Sequence, residues 1–302
     1  MRALVKTERG DGHLALLDWS DPVPEAGWVS IAVTYGGICG TDLHILHDHF
    51  PYWPPVILGH EFVGTVAGVG TGVDPGLLGV RVVSEPHSGA CGTCHLCRRG
   101  MAELCPEKRS PGWGIDGAFA SLVTLPVHLL HRVPDGIPDR TAALAEPMAV
   151  AVTALMRGRV EPGDTVLVIG PGPVGILLAV AARAVGAAEV IVVGREPSDR
   201  LRFAGSLGFR TTTTDAAEAL TRERTADRGA DLVVEAAGTE AAIALARAAV
   251  RRRGRIAAVA ISGRPEVTVH WDLAVSQAVD IAFSMSSSGT AWDPGLHAGR
   301  WA

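Results

Sequence analysis

The feature that most restricts how this chain can fold is an uninterrupted apolar run that ends in a glycine-spaced turn. Thr165-Val166-Leu167-Val168-Ile169 lacks polar alternation, the pattern of a strand buried on both faces of a parallel sheet. Gly170-Pro171-Gly172-Pro173-Val174-Gly175 follows at once, and a helical, alanine-rich stretch runs from Val174 to Val185. In that setting each glycine has a physical task. The first permits a tight turn, the second lets a pyrophosphate approach the backbone, and the third allows the helix to pack close to the strand. The helix N-terminus then faces the phosphates with its unpaired N–H groups. Gly170, Gly172, Pro173, Val174 and Gly175 are therefore expected to bind a dinucleotide.

The alternation continues with strands at Val190–Val193, Asp231–Glu235 and Arg255–Val259, and a helix near Ser198–Leu207. Repeated strand–helix units predict an α/β domain with a doubly wound parallel sheet over residues 148–302. The end of the second strand selects the cofactor. An acid there would hold the ribose 2′-hydroxyl of NAD, whereas this chain has Val193-Gly194-Arg195. Arginine suits a 2′-phosphate, so Arg195, with Arg200 in the next helix, favours NADP over NAD. Glu196, one residue on, would reverse that preference if the register slipped.

Residues 1–147 read differently. Val29–Tyr35 alternates like a strand, and glycines at Gly36-Gly37, Gly68–Gly72 and Gly76–Gly79 read as turn signals, which predicts a small β-barrel or sandwich. The proline-spaced stretch from Pro134 to Pro147 suits a crossing between domains. The length of 302 residues accommodates both, and a hydrophobic fraction of 47% supplies their cores. A net charge of −5 without a basic block argues against nucleic acid. No apolar run is long enough to span a membrane, and the N-terminus lacks a signal-peptide pattern, so a cytoplasmic protein is expected.

The cysteines carry the second strong signal. Cys91-x2-Cys94-x2-Cys97-x7-Cys105 offers four thiolates, enough to close a tetrahedral zinc site and pin a loop that cannot pack by itself. Pro106 after Cys105 raises an iron–sulfur alternative, but the last gap is too long and only one set is present. Disulfides are the lesser alternative in a reducing compartment. Cys39 is left over, in Cys39-Gly40-Thr41-Asp42-Leu43-His44, where it is either a ligand or buried packing. His60 and Glu61 lie at or just after a strand, where neighbours point to opposite faces, so only one of them is expected to reach a given metal. Cys39, His60 and Glu146 would leave a zinc ion one open position, as catalytic sites require.

Cys39-Gly40-Thr41-Asp42, Gly59-His60-Glu61-Phe62-Val63-Gly64, the four-cysteine lobe, Ala145-Glu146-Pro147 and the Gly170–Gly175 turn occur in one order along nearly the whole chain. In this the chain resembles the zinc-containing medium-chain dehydrogenases, the alcohol, polyol and threonine dehydrogenase group. The resemblance implies a GroES-like catalytic domain followed by a Rossmann cofactor domain. It implies that Cys39, His60 and Glu146 hold a catalytic zinc, with Glu61 an alternate ligand or a neighbour of one, and that Cys91, Cys94, Cys97 and Cys105 hold a structural zinc, two ions per chain. It also implies oxidation of a secondary alcohol, polyol or sugar-like, with threonine-type substrates as the competitor and Phe50, Trp53 and Trp113 as candidate pocket residues. The alcohol proton would leave through the Thr41 hydroxyl, then the cofactor ribose, then His44, a residue type that changes charge near neutral pH; a surface role for His44, among His47 and His49, is the alternative. Asp42 would orient a ligand. Family members are commonly homodimers or homotetramers.

Two departures accompany the resemblance. Gly79-Val80-Arg81-Val82 lacks the acid that the family places before the arginine, which should cost a turn contact or salt bridge. The sequence stops at Ala302, so a segment that returns to complete the catalytic domain is expected to be missing, and the second domain to be shortened. A non-catalytic NADP- and zinc-binding protein is the corresponding alternative.

Overall fold

The computed structural model describes residues 1–195, 198–264 and 266–292. They form two compact units. One comprises Met1–Ala149 with the segment that begins at Ser287, and the other Val150–Ser286.

The first unit is built from β1 (Arg2–Lys6), β2 (Leu14–Asp18), β3 (Trp28–Gly37), α1 (Gly40–Leu46), β4 (Val56–Ile57), β5 (Glu61–Val69), β6 (Arg81–Ser84), β7 (Leu122–Pro126), β8 (Leu130–Arg132) and α2 (Asp139–Ala142). Two antiparallel sheets result, ordered β2-β1-β4 and β7-β3-β5-β6-β8. Val29, Ile31, Phe62, Val66, Val82, Val123 and Leu125 meet in the core of the larger sheet. Their alternation along β3, β5 and β7 is the period-two pattern of a sheet with one buried face. The register pairs Gly37 with Glu61. Gly36-Gly37 is thus strand rather than the expected turn, and glycine is needed at 37 because a Cβ there would collide with the Glu61 carboxylate. At the first departure noted above, Val80 packs on the core. Arg81 pairs instead with Asp139 at 2.7 Å.

The proline-spaced join is helical. It holds α2 and the start of α3 (Ala145–Arg157), and the division between units falls inside α3. Pro138 precedes the first turn of α2 and Pro147 lies in the first turn of α3, positions where a missing N–H costs nothing.

The second unit continues with β9 (Thr165–Ile169), α4 (Pro173–Val185), β10 (Glu189–Gly194), α5 (Asp199–Ser206), β11 (Arg210–Thr213), α6 (Ala217–Arg224), β12 (Ala230–Glu235), α7 (Glu240–Ala249), β13 (Val250–Ala258), α8 (Trp271–Gln277) and β14 (Asp280–Phe283). All five pairings are parallel, in the order β11-β10-β9-β12-β13-β14. Counted from β9 this is 3-2-1-4-5-6, the doubly wound dinucleotide-binding order, with its switch point between β9 and β12. Val166, Leu167 and Val168 are fully buried, as their unbroken apolar run predicts. Each such side chain contributes about 1.5–3 kcal/mol through burial. Ser198 caps α5 by accepting from the Leu201 N–H at 3.2 Å. At the other end of the sheet Arg255 grips both oxygens of Asp164, at 2.8 and 2.9 Å, in a buried pair.

The expected limits of the second domain need correction. The six residues Ser287–Trp292 belong with the first unit, so the return towards that unit begins within this sequence. His87 Nε2 contacts the Ser287 carbonyl at 2.7 Å. Trp292, fully buried, stacks on His131 at 5.1 Å and 7°, and His131 contacts Glu85 at 3.0 Å. The rest of the tail, from 293, lies outside the described residues.

Candidate metal centres and cofactor turn

The first cluster is assembled by α1 and the loop before β5. Cys39 caps the N-terminus of α1, and its sulfur accepts from both the backbone and the hydroxyl of Thr41. Asp42, buried in the first turn, ties the two ligand-bearing segments together. One carboxylate oxygen accepts from the Cys39 N–H at 2.9 Å and the other from the Gly59 N–H at 3.2 Å. The same carboxylate lies 3.7 Å from His60 Nδ1. Gly59 has φ +93°, a left-handed turn that suits glycine, and an added Cβ would strike the Phe119 ring. This turn delivers His60 just ahead of β5.

Donor atoms of Cys39, His60 and Glu61 all lie within 4.8 Å of one another. The expectation that only one of His60 and Glu61 could face a metal is therefore overturned. Strand alternation begins at Glu61 and does not extend back through the Gly59 turn, so the two side chains converge. Glu146, buried in the first turn of α3, lies outside that compact triple. Its charge still reaches Cys39, and the Ser287 hydroxyl donates to its Oε1 at 3.5 Å.

The electrostatics suit a cation. Burial, with Glu61 next in weight, pushes the Cys39 thiol up to about 12. Burial pushes Glu61 up to about 7, and burial together with the Glu61 charge pushes Glu146 up to about 8. Burial also drives Lys108 down to about 8, although Glu146 and Glu103 pull it back. Three neighbouring acidic donors, two of them buried, cannot all ionise against the Lys108 ammonium. A divalent cation would balance them, and sulfur, nitrogen and oxygen donors together are a set zinc accepts. Thr41 and His44 stand three residues apart on α1, on one face of the helix.

The second cluster is Cys91, Cys94, Cys97 and Cys105, whose sulfurs also lie within 4.8 Å of one another. Cys91 and Cys97 are 4.0 Å apart, close to the roughly 3.8 Å edge of a zinc–thiolate tetrahedron. All four are free thiols, not disulfides. Backbone N–H groups of Cys94, Cys97 and Cys91 point at the sulfurs of Cys91, Cys94 and Cys105, at 3.3 to 3.4 Å. The Thr93 N–H, then that of Cys94, holds Cys91 down to about 6, whereas burial pushes Cys97 up. That opposition between neighbours is what four crowded thiols show until a cation shares their charge.

In the second unit the glycine turn has the expected steric roles. Gly170 has φ +112°, and a Cβ there would come within 2.9 Å of Ala236. A Cβ at Gly175 would collide with the Gly170 carbonyl, whereas Gly172 faces open space on its Cβ side. Gly172 caps α4 without a side-chain partner and Pro173 opens the helix, so the first N–H groups remain available to phosphate. Arg195 follows β10 directly, Arg200 lies in the first turn of α5, and both are exposed. Glu196, the residue that could reverse the cofactor preference, lies outside the described residues.

Sequence reasoning missed Ser287 and His87. No motif marks Ser287, which reaches Glu146 across 141 positions. His87 lies four residues before the cysteine lobe, where the metal pattern draws attention past it.

Residues 25–135 match the alcohol dehydrogenase GroES-like domain family, and residues 173–298 the zinc-binding dehydrogenase family. The sorbitol dehydrogenase of Halalkalibacterium halodurans is 35% identical, over 98% of this chain and 87% of its own. An L-threonine 3-dehydrogenase of Chelativorans sp. is 37% identical, over 87% of this chain and 77% of its own. A zinc-binding dehydrogenase from Sinorhizobium meliloti, solved bound to NADP, superposes with a TM-score of 0.91 at 27% identity, covering 99% of this chain and 88% of its own.

Proposed function

The chain belongs to the zinc-containing medium-chain dehydrogenases, and from that we propose that it oxidises a secondary alcohol of a polyol, or reduces the matching carbonyl, with NAD(P). The observation that carries the reading is the Cys39–His60–Glu61 cluster, with His60 and Glu61 buried and Cys39 half-buried, in the same chain as a doubly wound sheet with a glycine turn at its switch point. Sorbitol dehydrogenase matches the chain almost end to end, which favours polyols. Threonine-type oxidation has support from a relative of similar identity over less of the chain.

In this reading Cys39 and His60 hold one zinc ion, with Glu61 or Glu146 completing its protein ligands, and the four cysteines hold a second. Zinc at the first site supplies Lewis acidity, which makes an alcohol proton easier to remove. The Thr41 hydroxyl would accept that proton while giving up its own, which would pass by way of the cofactor ribose to His44 and so to solvent. Gly170 to Gly175 cradle the pyrophosphate, and Arg195 with Arg200 favour NADP. The domain roles follow: catalysis in residues 1–149 with Ser287–Trp292, and cofactor binding in residues 150–286. The five free cysteines support a reducing, cytoplasmic location. A homodimer or homotetramer completes the picture.

Zinc per chain by elemental analysis, paired with NADP and NAD reduction over a polyol panel and threonine, tests the reading. We expect two zinc ions and turnover of a polyol, faster with NADP. Tight cofactor binding without turnover of any alcohol would favour the non-catalytic alternative.

A further inference from the structure

One arginine, Arg109, belongs to neither metal centre. The stem of Arg109 runs through a slot that two glycines leave open. A Cβ at Gly114 would lie 2.6 Å from Arg109 Cδ, and a Cβ at Gly89 would collide with Arg109 Cβ. The guanidinium lies 3.6 Å from the centroid of the Trp53 ring. Trp53 stacks on Trp113 at 6.0 Å, and Phe50 meets Trp113 edge-on at 5.5 Å. Trp53 is 39% exposed, so the aromatic wall opens to solvent. The same loop is fastened to the ligand-bearing turn. A Cβ at Gly112 would lie 2.9 Å from the Gly59 nitrogen, and Gly59 directly precedes His60.

A guanidinium carries five N–H donors. Arg109 uses one, from Nη1 to the Lys108 carbonyl at 3.3 Å. Among the described residues no carboxylate pairs with it, and none of its nitrogens is buried without a partner. Its remaining donors are therefore solvent-accessible and unused. A planar fork, clamped along its stem and stacked on an indole, loses little entropy when it meets a planar or tetrahedral oxyanion. Stacking on Trp53 uses the charge through the ring face but leaves the N–H fork unpaired.

We propose that Arg109 is a specificity residue that selects a polyol bearing an anionic group, a phosphate monoester or a carboxylate, at the end away from the reacting carbinol. The anion meets the guanidinium fork, and the apolar face of the polyol chain lies against the wall of Phe50, Trp53 and Trp113. This rests on the dehydrogenase reading above.

The test uses the zinc-loaded full chain with sorbitol, sorbitol 6-phosphate and gluconate as substrates. We expect the wild type to favour one of the two anions over sorbitol by about tenfold or more in kcat/KM, and Arg109→Gln to remove most of that preference through KM. Arg109→Lys should restore part of it, since it keeps the charge but not the fork. The anion that responds tells phosphate from carboxylate. A wild type that prefers sorbitol, or an Arg109→Gln variant that weakens all three substrates in equal proportion, would overturn the proposal. If nothing is turned over, the dehydrogenase reading fails separately, and tryptophan fluorescence decides. Quenching by sorbitol 6-phosphate or gluconate in the wild type but not in Arg109→Gln supports the anion site, and no response to either refutes it.

Discussion

Asp42 shows how much one buried carboxylate can organise. It accepts from Cys39 and Gly59, the two segments that bring the first donor cluster together, and stands beside His60. Burial raises its pKa, while His60 and the two N–H donors oppose that rise. Replacing Asp42 with Ala leaves both backbone donors unsatisfied in a buried place, at a cost of about 1–3 kcal/mol. It also frees the His60 ring, and loss of an orienting partner commonly weakens metal binding about 10–100-fold. If the chain holds the two proposed zinc ions, Asp42→Ala should therefore lose one on dialysis against a weak chelator while the cysteine lobe keeps its own. Retention of both ions would show that the two ligand segments hold their positions without Asp42. The ligand candidates and Asp42 were legible because they sit in short motifs with characteristic neighbours. The convergence of His60 and Glu61 was not, since a left-handed glycine between two strands breaks the alternation on which that expectation rested.

Among the elements, those with strong local patterns were the readable ones. The run Thr165–Ile169 is the full extent of β9, and the helix expected from Val174 to Val185 begins one residue earlier. The proline-spaced join was misread because proline in a first helical turn looks, in sequence, like proline in a loop. The Ser287–Trp292 segment had no local signature at all, and only its packing on His87 and His131 assigns it to the first unit. Strand β14 has a different kind of consequence. It ends the six-stranded sheet, and Ile281, Phe283 and Met285, at alternate positions along and just beyond it, are 39, 75 and 48% exposed. An apolar edge strand is a template for another strand. A second copy pairing there would bury these side chains, so Phe283→Glu should halve the mass measured by light scattering in solution. A variant that stays a dimer would move the interface elsewhere, and a wild type that is already monomeric would mean that this edge pairs with no second copy.

At the scale of the whole molecule, the two units differ in what holds them together. The second rests on an apolar core and a buried Asp164–Arg255 pair, and its buried Glu235, raised by burial, accepts from the Ala237 and Gly238 N–H groups. The first contains carboxyls that are costly to ionise. Glu61 and Glu146 are raised from 4.5 to about 7 and about 8, chiefly by burial. A group whose folded pKa lies above its unfolded value holds its proton longer in the folded state. Its contribution is fully present below the unfolded value and is lost as pH rises through the folded one, at up to about 1.4 kcal/mol per pH unit for each proton. His60 and His87, lowered by burial, act in the opposite sense, but only below their ordinary value of 6.5. Lys108, lowered to about 8, acts mainly above that pH. Between pH 6.5 and 8 the two glutamates leave a distinct signature, although the Cys91 thiol, lowered to about 6, acts there in the opposite sense. Metal-stripped wild type should therefore lose stability over this interval relative to Glu61→Gln/Glu146→Gln, because the thiols contribute equally to both and cancel in the difference. Zinc should abolish the difference in slope, since a divalent cation keeps both carboxylates ionised throughout. Urea midpoints for the two proteins at pH 6.5 and 8, with and without zinc, measure it directly. Parallel slopes in the stripped proteins would mean that Glu61 and Glu146 are already ionised at neutral pH without a metal, and that the cluster does not depend on a cation for its charge balance.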